Sequence, residues 1–181
     1  MIKFYTIIYI NKNMIGIMSD SHDNLPAIRE AVKFFNEAKV ELVIHAGDMI
    51  SPFTAKEIKN LNAEFKAVFG NNDGERDGLR HFFKGICYHD DFQELELHGK
   101  KTAVIHGTTE DIVNALVKSG SYDIVIRGHT PKLEVKEGKC MAINPGETCG
   151  YLSGKKTVVL LDPEDLSYET IVLWHLIESK S

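Results

Sequence analysis

Five apolar runs in this sequence are each followed by polar side chains that could bind a metal ion, and in four of them a glycine lies beside those side chains. The run "IGIMSD" ends at Asp20, with His22 two residues later, and the other four end at Gly47-Asp48, Gly70-Asn71-Asn72-Asp73, His106-Gly107 and Gly128-His129-Thr130. In an open α/β sheet, ligands bind at the carboxyl ends of the strands. We therefore expect these side chains to meet on one rim, where the glycines let the backbone approach a ligand closely.

The candidate metal ligands offer oxygen and nitrogen donors and no thiolate; they are Asp20, His22, Asp48, Asn71, His106 and His129. Such a set suits Mn, Fe, Ni, Zn or Co and does not choose among them. Six ligands exceed the need of one zinc-like site, and they could hold two ions if one carboxylate bridges. Two-metal sites place their ions roughly 3.5–4 Å apart and clamp the attacking and leaving oxygens of a phosphoryl displacement.

Each motif has an ordinary structural explanation when it stands alone. An Asp-x-His is common in solvated loops, and Gly-Asp or Gly-Asn-Asn-Asp is frequent turn chemistry. The series of five, each after a strand-like run, favours a shared site. His45, inside an apolar run, is interpreted as a hydrogen-bonded core residue or a support for the ligands, and Arg127 as a rim or interface residue. The remaining histidines are predicted to be on the surface: His81, His89, His98 and His175.

Composition restricts the class of protein. The chain has 181 residues, of which 43% are hydrophobic and 26% charged, which suits one soluble globular domain. The formal net charge is −5 and no basic block is present, so no double-stranded nucleic acid partner is expected. The three cysteines are odd in number and form no CxxC, so neither a disulfide framework nor a cysteine zinc site is indicated, and a reducing cytoplasm is the simplest setting.

The first 13 residues contain a short apolar stretch that is too short to span a bilayer and lacks a signal-peptide cleavage site. No membrane association is expected. Because Met14 begins the first natural strand, we predict a single domain over residues 14–181 and interpret residues 1–13 as an extension. This extension is either a mis-assigned start or an added edge strand.

Short apolar runs alternate with helical patterns in the first half of the chain. Strands are predicted at 15–19, 42–46 and 65–69, and helices after Asn24, over 51–61 and over 75–83. The second half predicts strands at 92–97, 102–105 and 124–127, a helix from Thr108 or Thr109 to Ser119, and later strands at 133–135, 140–143, 157–161 and 168–174. The order indicates βαβ units followed by antiparallel hairpins, that is, a mixed, layered α/β domain.

In this order, Asp-x-His, Gly-Asp, Gly-Asn-x-Asp, His-Gly and Gly-His resemble the motifs of the calcineurin-like metallophosphoesterases, with a closer likeness to their small prokaryotic phosphodiesterase subfamily. The match runs from Met14 to about Trp174. The segment "INPGE" at 143–147 also resembles an Asn-Pro-Gly segment near that subfamily's site.

The resemblance implies an αββα four-layer sandwich of two mixed β-sheets flanked by helices. It implies that Asp20, His22 and Asp48 hold the first metal ion. Asp48, as the bridging carboxylate, would hold the second together with Asn71, His106 and His129. A hydroxide between the ions would attack phosphorus, which makes the expected activity the metal-dependent hydrolysis of small phosphodiesters.

The sequence departs from the family pattern at three positions. Asn72 stands where many members carry a histidine that assists the leaving group, and Asn cannot act as an acid, so diesters with good leaving groups are the expected substrates. Pro131 stands where the first ion would gain a histidine, so the Asp20/His22 site is expected to be the weaker one. Thr108 replaces a further histidine. Asp73, Thr108 and Thr130 are predicted to support the ligands or contact substrate, and Asp48, Asn71 and Asn72 to be catalytic.

The sequence leaves two main classes of function open, and a nuclease acting on short oligonucleotides is a third option. The first is a phosphodiesterase using two divalent transition-metal ions, with Mn and Ni among the candidates. The alternative is a protein-binding scaffold of the same fold with a degraded metal site, like a eukaryotic retromer subunit of similar fold, and Pro131 gives that alternative some weight. Buried unpaired carboxylates cost energy, which favours the enzyme. A homodimer is also considered, and neither the natural substrate nor the metal follows from the sequence.

Overall fold

The computed structural model describes residues 13–173. Its elements, in chain order, are β1 (Ile15–Met18), α1 (Leu25–Ala38), β2 (Leu42–His45), a 3₁₀ turn (Pro52–Thr54), α2 (Ala55–Ile58), β3 (Glu64–Val68), α3 (Arg76–Phe82), β4 (His89–Asp90), β5 (Phe92–Leu97), β6 (Lys100–Ile105), α4 (Glu110–Lys118), β7 (Ile124–Ile126), β8 (Glu134–Lys136), β9 (Met141–Asn144), β10 (Lys156–Leu161) and β11 (Tyr168–Leu173).

The strands form two mixed sheets. The first has six strands in the order β11-β10-β1-β2-β3-β4, and the second has five in the order β5-β6-β7-β9-β8. The pairs β1–β2, β2–β3 and β6–β7 are parallel, whereas β10–β11 and β5–β6 are antiparallel. The predicted mixture of βαβ units and hairpins is therefore confirmed.

Three apolar clusters define the layers. Ile15, Ile44 and Ile126 belong to one cluster that draws on both sheets, and these side chains are fully buried between them. A second cluster joins the other face of the six-stranded sheet to α1, α2 and α3, with Phe35 at 1% exposure. A third packs α4 on the outer face of the five-stranded sheet through Val113. Helix, sheet, sheet and helix thus form the predicted αββα sandwich.

Helix α1 begins where the sequence predicts it. The side chain of Asn24 accepts a hydrogen bond from the backbone N–H of Ala27, and Pro26 lies in the first turn. Its apolar residues at helical spacing are buried: Ala27, Ile28, Ala31, Val32, Phe35 and Ala38. This helix connects β1 to β2 and so fixes the two strands that carry Asp20 and Asp48.

Several predicted elements differ from the structure. The helix predicted over 51–61 is a 3₁₀ turn followed by the single turn of α2, and the Asn36 side chain binds the backbone of Asn60 and Asn62 instead of letting the helix continue. His89 was predicted on the surface but is 1% exposed within β4, a strand that the sequence did not predict. The extension before Met14 and the predicted strand end at Trp174 lie, apart from Asn13, outside the described residues.

The described residues include no helix long and apolar enough to cross a membrane.

Candidate metal centre

All six predicted ligands follow the carboxyl ends of strands that are neighbours in their sheets. Asp20 and His22 follow β1, Asp48 follows β2, and Asn71 follows β3; these strands are adjacent and parallel in the six-stranded sheet. His106 follows β6 and His129 follows β7, which pair in parallel in the other sheet. Because both sheets direct these ends to one side of the sandwich, the loops meet at a shared rim.

Asp48 lies at the centre of the cluster. Its Oδ2 is 3.3 Å from Nε2 of His106 and 3.6 Å from Nε2 of His22. The donor atoms of Asp20, Asp48 and His106 all lie within 4.8 Å of one another, and the three residues are at most 4% exposed. His22 Nε2 is also 3.8 Å from Oδ1 of Asp20. Asp48 is therefore close to donor atoms that follow strands of both sheets.

Asn71 and His129 lie beside His106. The Asn71 Oδ1 is 3.0 Å from His106 Nε2, and the Thr108 hydroxyl donates to the same oxygen at 3.2 Å. The rings of His106 and His129 meet edge to face, with 5.3 Å between their centroids. Nδ1 of His106 contacts the carbonyl oxygen of Ala46 at 2.7 Å. Because a carbonyl only accepts, Nδ1 carries a proton, which leaves Nε2 as the nitrogen that can bind a metal in the neutral ring.

The ligand loops contain an unusual concentration of left-handed backbone. Asp20, His22, Asp48 and His129 have φ values of 52°, 42°, 61° and 70°. Non-glycine residues rarely adopt such angles and keep them only where the surrounding structure enforces them. At Gly70, a Cβ would lie 2.1 Å from Oδ1 of Asp48, so only glycine lets β3 deliver Asn71 this close to the central carboxylate.

The carboxylates and imidazoles of the cluster shift one another's pKa values. Burial acts to raise the pKa of Asp48, but His106 and the hydrogen bonds from Asn72 outweigh it and hold this pKa well below its usual range. The side-chain hydrogen bond to Asp20 raises the pKa of His22. Burial alone would lower the pKa of His106, but the Asp48 carboxylate outweighs burial and raises it. The site therefore attracts positive charge.

The donor set fits divalent transition-metal ions. It joins two buried carboxylates to imidazole and amide groups, with no cysteine sulfur among them, and such hard and borderline donors suit Mn, Fe, Co, Ni or Zn. Buried carboxylates are costly without a counter-charge, which a bound cation would supply.

The other residues named from the sequence have separate positions. The Asn72 side-chain amide donates to Oδ2 of Asp48 at 2.7 Å, and its backbone N–H donates to Oδ1 at 2.8 Å. Asp73 is buried and binds backbone N–H groups of the ligand loops. The Thr130 hydroxyl accepts from the Asn144 amide at 2.6 Å, so it faces the protein. Pro131 offers no side-chain donor.

Sequence reasoning missed several groups that support the ligands. The hydroxyl of Ser19 donates to Oδ2 of Asp20 at 2.6 Å, and the Asn144 amide also donates to the Thr130 carbonyl at 3.1 Å, next to His129. Asn144 lies in the "INPGE" segment, which was the signal that could have found it. His45 is fully buried and contacts Ser21 at 2.9 Å, in agreement with its predicted hydrogen-bonded position.

Comparisons with known proteins agree with this geometry. Residues 14–166 match the model of the calcineurin-like phosphoesterase superfamily domain. A phosphodiesterase of Methanocaldococcus jannaschii is 47% identical over 163 residues, which cover 88% of this chain and 98% of that protein. A solved archaeal phosphodiesterase, also 47% identical, superposes with a TM-score of 0.85 over 88% of this chain and 99% of that one.

A more distant structure shares the fold. Vps29 of Chaetomium thermophilum is 16% identical and has a TM-score of 0.65, with coverage of 88% of this chain and 95% of that one. This likeness concerns architecture alone. The family model and the 47% identical relative decide membership: the chain belongs to the calcineurin-like phosphoesterase superfamily, as one of its metallophosphoesterase enzymes.

Proposed function

We propose that the protein is a metal-dependent phosphodiesterase that hydrolyses small phosphodiesters at a centre for two divalent transition-metal ions. The observation that carries this proposal is the position of Asp48, whose Oδ2 lies within 3.6 Å of Nε2 of both His22 and His106. A carboxylate between two sets of ligands is what a shared, bridging ligand requires. The 47% identity to an archaeal phosphodiesterase supports the same reaction class.

The residues divide into two sets around Asp48. Asp20 and His22 would hold the first ion with Asp48, whereas Asn71, His106 and His129 would complete the shell of the second. Bound ions of this kind lower the pKa of a water molecule and offset the charge of phosphoryl oxygens. The protein contributes the fixed geometry, since Ser19 and the backbone N–H of His129 both donate to Asp20 Oδ2, at 2.6 and 3.1 Å.

Asn72 shapes the substrate preference. Its side chain is exposed at the rim and its amide lies 2.7 Å from Oδ2 of Asp48, so it is close enough to the centre to contact a substrate. An amide donates a hydrogen bond but releases no proton at neutral pH, so a leaving group receives no acid assistance from it. Diesters with good leaving groups should therefore react faster than unactivated monoesters.

Pro131 is the observation that favours a second candidate, a protein-binding scaffold with a degraded metal site. Proline removes the histidine that the family places there. Against the scaffold, the other ligands are all present, and Asp20 and Asp48 are buried at 4% and 1% exposure. We therefore keep the enzyme as the conclusion and assign the weaker ion to the Asp20/His22 site.

Hydrolysis of bis-p-nitrophenyl phosphate tests the proposal. Protein treated with a chelator should be inactive and should regain activity when Mn²⁺, Ni²⁺ or Zn²⁺ is added. Asp48→Asn should lose the metal-restored activity, because it removes the bridging charge, whereas Asp77→Asn, at an exposed position, should keep it. Folded protein that stays inactive with every metal would replace the enzyme by the scaffold.

We also propose a reducing, cytoplasmic setting, which suits the free thiols of Cys87, Cys140 and Cys149.

We further propose that the protein forms a homodimer. Light scattering at micromolar concentration measures the mass of the particle in solution and so tests this proposal. No double-stranded nucleic acid is proposed as a partner, in keeping with the net charge of −5.

A further inference from the structure

The guanidinium of Arg127 lies between the two loops that carry His106 and His129. Its Nη2 donates to the carbonyl of Gly107 at 3.2 Å, and its Nε donates to the carbonyl of Gly128 at 3.2 Å. Its Nη1 pairs with Glu110, the first residue of α4. Arg127 is 9% exposed, so it is a buried residue and not the rim or interface residue that the sequence suggested.

The two carbonyls that Arg127 binds are adjacent in sequence to the two histidines. Gly107 directly follows His106, and Gly128 directly precedes His129. One side chain therefore fixes the distance between the two backbone segments. The Gly128 N–H also donates to the His106 carbonyl at 3.0 Å, which links the segments a second time.

The segment of His129 needs such support, because left-handed backbone is unfavourable for a residue other than glycine. Gly107 has a φ of 86° and His129 a φ of 70°. A Cβ at Gly107 would lie 3.1 Å from Nε of Arg127, so the glycine leaves the room that the guanidinium occupies. A histidine held at a positive φ keeps this conformation only when its surroundings enforce it.

We propose that Arg127 is a positioning residue that holds His106 and His129 in the arrangement needed to bind one ion, the second of the proposed centre. This inference rests on the proposed function, because it assigns that ion to these two histidines. Arg127 does not touch the ion or the substrate. It acts through the Gly107 and Gly128 carbonyls, and Glu110 orients its guanidinium from outside.

The direction of the change in metal affinity distinguishes a positioning role of Arg127 from an effect of its charge alone. A guanidinium near a divalent cation repels it, so removing the charge alone should tighten metal binding. Removing a positioning contact should weaken metal binding, and loss of groups that orient ligands typically costs 10–100-fold in metal affinity. Arg127→Met removes the charge and both carbonyl contacts at once, and the two explanations therefore predict opposite results.

Ni²⁺ affinity, measured by titration calorimetry of metal-free protein, tests this inference in two backgrounds. His22→Ala leaves only the ligands of the second ion complete, and His129→Ala leaves only those of the first. We expect Arg127→Met to weaken Ni²⁺ binding about 10–100-fold in the His22→Ala background. In the His129→Ala background the loss should be clearly smaller, because Arg127 reaches the first set of ligands only indirectly, through the His129 backbone N–H that donates to Asp20 Oδ2 at 3.1 Å.

Three further variants complete the experiment. Lys118→Met removes the same charge at an exposed position of α4 and should leave affinity unchanged. Arg127→Lys keeps the charge but replaces the planar guanidinium, which binds the two carbonyls through Nε and Nη2, by a single nitrogen, so it should give an intermediate loss. It replaces Arg127→Met if that variant does not fold. The visible absorption of Co²⁺-loaded protein should change more with Arg127→Met in the His22→Ala background than in the His129→Ala background.

The positioning role would be overturned if Arg127→Met tightened Ni²⁺ binding or left it unchanged in the His22→Ala background, or weakened it equally in both backgrounds. Each of these results would leave the proposed metal centre itself intact. Wild-type protein that binds no Ni²⁺ would instead refute the proposed centre, and the role of Arg127 with it.

Discussion

The backbone N–H of Asp48 donates a hydrogen bond to Oδ2 of Asp73, with 3.1 Å between the two atoms. The same oxygen accepts from the N–H of Gly70 at 2.6 Å, and Oδ1 accepts from the N–H of Ile50 at 2.6 Å. One carboxylate, 3% exposed, thus joins the turn after β2 to the turn after β3. Those turns carry the proposed bridging ligand and Asn71, so Asp73 holds both in place without needing to bind a metal.

Asp73→Asn should destabilise the metal-free protein. The amide replaces one acceptor oxygen by a donor, so at least one buried N–H loses its partner, which costs about 1–3 kcal/mol for each group left unpaired. Urea denaturation measures the free energy of unfolding. Asp77→Asn, whose side chain is fully exposed on α3, is the matched control and should change it by less than about 0.5 kcal/mol. Equal stability of the two variants would contradict the role assigned to Asp73.

Asn72→His should raise the hydrolysis of monoesters. A histidine at this position can donate a proton to the leaving group, and general acid catalysis contributes roughly 10²–10⁴ in rate. The measurement is the ratio of kcat/KM for phenyl phosphate, an unactivated monoester, to that for bis-p-nitrophenyl phosphate, whose leaving group needs little protonation. We expect this ratio to rise by about 10², at the lower end of that range.

Asn72→Gln is the control for that substitution, because it keeps an amide and adds no titratable group. It should leave the monoester-to-diester ratio near the wild-type value. If Gln raises the ratio as much as His does, the change comes from rearranged contacts to Asp48 rather than from proton donation.

Pro131→His should strengthen the ion proposed at Asp20 and His22. The new imidazole would add a ligand to a shell that otherwise has three protein ligands, one of them shared. We expect this ion to bind about tenfold more tightly or better, since even groups that only orient ligands contribute 10–100-fold. In a calorimetric titration with Mn²⁺, the affinity of the weaker of the two binding steps should rise toward that of the stronger step.

Pro131→Ala distinguishes ligation from loop relaxation. It removes the proline ring without adding a donor, and the Pro131 carbonyl that accepts from the Glu147 N–H at 3.3 Å is retained. Alanine should therefore leave the weaker step unchanged. A gain that is the same for alanine and histidine would show that the proline ring, and not a missing ligand, weakens the first ion.

The positions of the candidate ligands could be predicted from the sequence because their signal is local. Asp20, Asp48 and His106 each follow a run that is apolar enough to be a buried strand, and strand ends converge in this kind of sheet. The cap at Asn24 was predictable for the same reason, since the cap and its partner Ala27 are three residues apart.

The contacts of Arg127 and Asn144 could not be predicted from local patterns, because their partners are remote in the chain. Arg127 reaches Gly107, 20 residues away, and Asn144 reaches Thr130, 14 residues away. Short-range periodicity carries no information about such pairs. The prediction that His89 lies on the surface was wrong for a related reason. Its segment "YHDD" is polar, and only the parallel pairing of β4 with β3 places its ring inside the helix-covered layer.

His89 should make the stability of the protein depend on pH. Its ring packs against Phe83 and Phe69, with centroids 4.8 and 5.3 Å apart, and its buried Nε2 has no hydrogen-bond partner among the described residues. Burial lowers the pKa of His89 to about 4. The unfolded chain, with a pKa near 6.5, therefore binds more protons than the folded protein between those values, and stability falls as the pH falls from 6.5 to 4.

His89→Phe removes this titration and should flatten that part of the profile by a few kcal/mol, because each unit of pKa difference corresponds to about 1.4 kcal/mol. The measurement is urea denaturation of metal-free wild-type and variant protein at intervals from pH 7.5 to 4. His81→Phe, at an exposed position of α3, is the control for removing a histidine and should keep the wild-type slope. Parallel profiles for wild type and His89→Phe would mean that the buried ring accepts a proton without cost, which the packing of Phe69 and Phe83 around it argues against.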